Sequence, residues 1–199
     1  PVAWLGMGDR VARCTFGFAG ETPQTGYLHI MKRYEIVSAD GIDALSLAEM
    51  DTPEPGPGQV LVRIHANCIN YRDLMTVVDP APRGIPYPRV PNSDGAGEVV
   101  EVGPGVTRFG PGDRVAGTFF QRWIGGPIDQ DVLASALGGT LDGVLSDFAL
   151  LDEQGLVAVP DHLSFEEAAT LPCAALTAWH ALIELGMRAG DTVLLLGTG

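Results

Sequence analysis

From Met31 onward, apolar and polar residues alternate mostly with a period of two, which marks half-buried strands. "KRYEIVS" and "ALSLAEM" flank the turn "ADGID" and predict a hairpin. The Pro- and Gly-dense "DTPEPGPGQ" reads as a loop, and "VLVRIHA" after it as a strand. Val60, Val62, Ile64 and Ala66 fall on one face of that strand, with Leu61, Arg63 and His65 on the other. His65 is therefore expected at a rim. "NYRDLMTVV" suits a short helix, whereas the prolines of "PAPRGIPYPRVP" demand an ordered loop. "GAGEVVEVG", residues 113–119, "VLSDFALL" and "GLVAVP" complete the strands, with a polar, Gly-rich excursion at 121–143.

The period changes at Asp161. Ser164 followed by Glu167 is a capping-box pattern. Pro172 suits a first helical turn, and Leu176, Trp179, Leu182 and Ile183 recur at helical spacing until Gly186. Trp179 is expected to pack in a core. "DTVLLLGTG" then predicts a last strand, Thr192–Leu196, running into two glycines. Residues 1–30 show neither period and no signal-peptide pattern. They are expected to be a non-native or poorly ordered extension ahead of a start at Met31, with a structured hairpin as the competing reading.

Composition narrows the class. The chain has 199 residues, 46% of them hydrophobic and 19% charged, which suits a packed domain and excludes disorder. Its net charge of −13 argues against nucleic acid as a partner. No apolar run approaches the roughly 18–20 residues of a membrane span. Cys14, Cys68 and Cys173 are scattered and odd in number, so no zinc knuckle or disulfide framework is indicated. Cytoplasmic localisation is the expectation.

Four segments occur in series: "EPGPGQVLVRIHANCINYRD", "PNSDGAGEVVEVGPGVTRFGPGDRV", "PDHLSFEEAATLPCAALTAWHAL" and "GDTVLLLGTG". In that order they resemble the medium-chain dehydrogenase/reductase superfamily, which includes zinc alcohol dehydrogenases and quinone oxidoreductases. The resemblance spans residues 32–199 and is most specific at "GAGEVVEVG" with "GPGDRV". It implies a mainly β fold. A GroES-like β-barrel catalytic domain over 31–160 is followed over 161–199 by linker helices and the first strand of a truncated Rossmann α/β domain. It also implies NADP or NAD as cofactor, with Gly197 and Gly199 in a turn that lets a pyrophosphate approach backbone N–H groups. On this reading the chain is an N-terminal fragment, inactive alone, and the whole protein a homodimer or homotetramer.

In the zinc enzymes that this chain resembles, the metal is held by a Cys, a His with an adjacent Glu, and a later Cys. Here Asn70 stands at the first position, Ser93 and Asp94 at the next two, and Cys173 at the last. One thiolate and one carboxylate fall short of the three protein ligands a catalytic zinc needs. No metal is expected, the competing reading being a distorted site in which Cys68 joins Cys173 and Asp94.

The resemblance places Asn70 facing the nicotinamide, with a turn residue as the plain alternative. Tyr71 offers a phenol able to donate a proton, or is a packed aromatic. Arg72 replaces the proton-relaying Ser or Thr of zinc enzymes; Asp73 pairs with it or orients the loop, a simple ion pair being the default. Thr177 matches a cofactor-approaching threonine, or bonds back to its own helix. Ser93, Asp94 and Cys173 are candidates for the substrate pocket. Phe119, Phe120 and Trp123 stand at the base of the 121–143 excursion. His162 and His180 have no evident partner. The expected activity is zinc-independent hydride transfer between NAD(P) and a quinone, enone or other carbonyl-type small molecule. Two readings compete with it: an alcohol dehydrogenase, and a non-catalytic GroES-like binding module.

Overall fold

A computed structural model describes residues 30–195 of the chain. It is mainly β. β1 (Ile30–Ile36) and β2 (Leu45–Asp51) form the predicted antiparallel hairpin, joined through a 3-10 turn at Gly41–Ala44. β3 (Gln59–Cys68), β4 (Asp94–Val102), β5 (Arg114–Gly117), β6 (Phe148–Asp152) and β7 (Leu156–Ala158) make one sheet in the order β6-β3-β4-β5-β7. Every pairing in it is antiparallel. The helix α1 (Tyr71–Val78) follows β3, and the short α2 (Gln130–Leu133) lies in the excursion.

The alternation holds where a face is covered. Val60, Val62, Val99, Val115, Leu137, Val144 and Leu151 form the main core. The opposite face of β3 departs from expectation at Leu61, which is buried with Met31 and Phe148. The hairpin lies over that face, so Leu61 is internal while Arg63 and His65 stay exposed. Register shifts between Leu61 and Val62, and between Ile64 and Ala66, bend β3 against β4. Within "GAGEVVEVG", a Cβ on Gly97 would overlap the Arg63 carbonyl of the neighbouring strand, so only glycine allows that approach.

The excursion is pinned at its base by Gln121, 2% exposed. Its side-chain oxygen accepts the Asp152 N–H at 2.9 Å, and its amide donates to the Thr118 and Gly155 carbonyls at 2.9 and 3.1 Å.

α3 (Phe165–Ala169) starts at the predicted capping box. The Glu167 N–H donates to the Ser164 hydroxyl at 3.2 Å, and the Ser164 N–H to the Glu167 carboxylate at 2.9 Å. Ala168 and Ala169 pack on Ala96, Ala116 and Val159. The chain then continues as alternating π and α turns: Leu171–Ala175, α4 (Leu176–Trp179) and His180–Glu184. Gly186, at φ +91°, follows. Trp179 is 58% exposed, contrary to its expected place in a core. Spacing does put it on an apolar stripe with Leu176 and Ile183, but among the described residues nothing covers that stripe. Asp191–Leu195 likewise join no ladder among the described residues, since a strand exists only beside a partner.

Candidate functional site

The last rung of the β3–β4 ladder pairs Cys68 with Asp94. Beyond it, β3 runs through Asn70 into α1, and β4 is entered from Asn92 and Ser93. This crossing point collects the polar groups. Asn70 is the extended N-cap of α1, and its N–H donates to the Asp73 carboxylate at 2.9 Å. Asp73 is 2% exposed. Burial pushes the Asp73 carboxyl above its ordinary range. The Asn70 N–H and Arg72 pull it down, and Asp94 adds to the rise.

Ser93 and Asp94 are fully buried. The Ser93 hydroxyl donates to one Asp94 oxygen at 2.6 Å, and the Cys173 backbone N–H to the other at 2.8 Å. Asp94 therefore ties the sheet to the helical run. Asn92 enters this segment at φ +68°, a left-handed conformation that asparagine tolerates better than most residues. Burial raises the Cys68 and Cys173 thiols above their ordinary range, and Asp94 and Asp73 raise both further.

Arg72 was expected to make a simple ion pair, and its Nε does lie 3.6 Å from an Asp73 oxygen. It does more than that. Nη1 donates to the Gly138 carbonyl at 2.8 Å and Nη2 to the Leu137 carbonyl. The guanidinium also sits 4.5 Å from the centre of the Phe119 ring. Burial lowers its pKa, opposed by Asp73 and Asp94.

Asn70, Ser93, Asp94 and Cys173 thus meet at one place, together with Cys68, Arg72 and Asp73. Tyr71 begins α1 and is 76% exposed, outside the buried group. Thr177 lies on the exposed helical run. Gly197 and Gly199 lie outside the described residues. His65 is a rim residue whose ring stacks on Phe165 at 4.5 Å. The Asp73 contact with the Asn70 N–H suits a loop-orienting residue, whereas the Arg72 grip on 137–138 was missed because those partners are remote in sequence.

Fit to a metal follows from the donor set. Both Asp94 oxygens are engaged by protein donors, Asn70 presents an amide, and Ser93 gives its proton to Asp94. Among the described residues no three His, Cys, Asp or Glu side chains are grouped to hold an ion. This set does not fit a catalytic zinc. The buried Asn70 Nδ2 has no acceptor among the described residues. A free donor of that kind fits an oxygen of a nicotinamide carboxamide, a ribose or a carbonyl substrate.

Residues 56–161 match the family described as the alcohol dehydrogenase GroES-like domain. A zinc-type alcohol dehydrogenase-like protein of Schizosaccharomyces pombe is 44% identical over 163 residues, covering 80% of this chain and 47% of that protein. An acryloyl-coenzyme A reductase of Metallosphaera sedula is 35% identical over 158 residues, 75% of this chain and 46% of the reductase. Among solved structures, a putative alcohol dehydrogenase of Sinorhizobium meliloti superposes with a TM-score of 0.75 at 42% identity, over 83% of this chain and 50% of that one. The chain belongs to the medium-chain dehydrogenase/reductase superfamily and carries its GroES-like domain. It spans about half the length of the relatives it matches.

Proposed function

We propose that the whole protein is an NAD(P)-dependent oxidoreductase that moves hydride between nicotinamide and a quinone, enone or other carbonyl-type small molecule, without catalytic zinc. The observation that carries this reading is the engagement of both Asp94 oxygens by Ser93 and Cys173, beside an Asn70 amide that lacks an acceptor among the described residues. Without a Lewis acid, oxidation of a simple alcohol is difficult, whereas an electron-poor acceptor needs only positioning and hydrogen bonds. The similarity to an acryloyl-coenzyme A reductase supports an activated C=C as acceptor.

Bound nicotinamide supplies or accepts the hydride. Within this chain, the Asn70 Nδ2 donates to an oxygen of the cofactor or the substrate. Ser93, Asp94 and Cys173 form a rigid pocket wall, since their polar groups are already paired. Tyr71, exposed beside Asn70, supplies a proton from its phenol. Thr177 and the turn of Gly197 and Gly199 contact NADP or NAD. The whole protein works as a homodimer or homotetramer.

The test is steady-state oxidation of NADPH and NADH by the full-length protein with 1,4-benzoquinone and with 2-cyclohexenone, against ethanol oxidation with NAD or NADP. Turnover with the first two acceptors and not with ethanol is expected. Turnover with ethanol alone would overturn the reading.

A further inference from the structure

Arg72 is placed to do more than neutralise Asp73. It spans two parts of the chain about 65 positions apart, gripping the consecutive Leu137 and Gly138 carbonyls with both terminal nitrogens. Its face covers Phe119, where the excursion leaves the sheet. Its Nε faces Asp73 at 3.6 Å. Asp73 in turn accepts the Asn70 N–H at 2.9 Å and lies near Asp94, whose charge it feels. The contacts form one connected path from the excursion to the Asn70 N-cap. A lysine cannot reproduce it, because a single ammonium cannot hold two carbonyls in a planar fork while lying flat on a ring.

The Nε of Arg72 and the facing oxygen of Asp73 are both buried without a hydrogen bond among the described residues. They lie just beyond bonding distance, so a small movement of either closes the contact. A guanidinium anchored at its other two nitrogens and at its ring face is the fixed member of that pair. Asp73, and with it the Asn70 N–H, is the member that yields.

We propose that Arg72 is a positioning residue of the reaction: anchored on the 137–138 carbonyls and on Phe119, it sets Asp73 and through it the orientation of the Asn70 amide toward substrate or cofactor. The inference rests on the function proposed above and adds a residue to which that reading assigns no role.

The experiment is a double-mutant cycle in the full-length protein, reading kcat and KM for NADPH oxidation with 1,4-benzoquinone and with 2-cyclohexenone. Arg72→Lys keeps the charge beside Asp73 and loses the fork. A misplaced donor is expected to lower kcat about tenfold or more. In the Asn70→Ala background the same substitution costs less than about twofold, because the group being positioned is gone. A second variant, Asp73→Asn, retains an oxygen for the Asn70 N–H and removes the charge facing Arg72, and it gives the same non-additive pattern. The Asn70 side-chain amide signals in a 15N spectrum, assigned with Asn70→Ala, shift in both Arg72→Lys and Asp73→Asn.

Equal losses in both backgrounds, or unshifted Asn70 amide signals, overturn the proposal and reduce Arg72 to a structural clamp. Wild-type protein without turnover on either acceptor sinks the proposed function instead, and the amide signals still decide whether Arg72 sets Asn70.

Discussion

Asp94 at the start of β4 holds Cys173, 79 positions later, through a backbone N–H to carboxylate bond of 2.8 Å, and turns its other oxygen to the Ser93 hydroxyl. One fully buried carboxylate thus joins the sheet to the helical run. Asp94→Ala strips both donors of their acceptor in a place water does not reach. Each buried unpaired group costs about 1–3 kcal/mol, so a loss of about 2 kcal/mol or more is expected in urea unfolding. Asp94→Asn keeps one acceptor oxygen and loses less. Equal stability of Asp94→Ala and wild type would contradict the geometry.

The contact of Gly97 with the Arg63 carbonyl makes a sharper case. Gly97→Ala must push β3 and β4 apart at the centre of the sheet, costing about 3 kcal/mol or more. Gly110 has open space around the corresponding direction and no left-handed backbone, so Gly110→Ala leaves the melting temperature nearly unchanged. The two melting curves, recorded side by side, check the close approach.

Ser164 and Glu167 cap α3 reciprocally. Ser164→Ala removes the acceptor for the Glu167 N–H and should lower stability by about 1 kcal/mol. Ser164→Asp restores an acceptor at the N-terminus of the helix and should recover most of that loss in the same unfolding assay.

His65 lies flat against Phe165, whose ring also lies 4.6 Å from the Arg114 guanidinium. Burial lowers the His65 pKa below 6.5, with Arg63 in the same direction and Glu98 and Glu166 opposing. Between that lowered value and 6.5 the unfolded chain binds more protons than the folded one, so stability rises with pH across this window and is flat above it. In His65→Phe this slope disappears. Melting temperatures of both proteins from about pH 5 to pH 7.5 show it; parallel curves would exclude His65 as the source.

The strands and the cap were legible because local rules set them: alternation in β3 to β7, Ser164 three residues before Glu167, glycine at 186. Leu61 was not, because the hairpin that buries it belongs to another part of the chain. Trp179 sits on the stripe its spacing indicated, but it is 58% exposed, with no cover among the described residues. Within the site, the order of motifs singled out Asn70, Ser93, Asp94 and Cys173, and the ladder ending at Cys68 and Asp94 shows how they meet. The grip of Arg72 on Leu137 and Gly138 left no trace in the pattern, since backbone carbonyls have no residue identity to read.

The central claim is that this site works by hydrogen bonding and packing, with no bound cation. Metal analysis of the dialysed full-length protein, paired with NADPH-dependent reduction of 1,4-benzoquinone before and after chelation by EDTA, tests it most directly. The account predicts far less than one zinc per chain and an unchanged rate after chelation. About one tightly held zinc per chain, with activity lost on its removal and restored on its return, would contradict it.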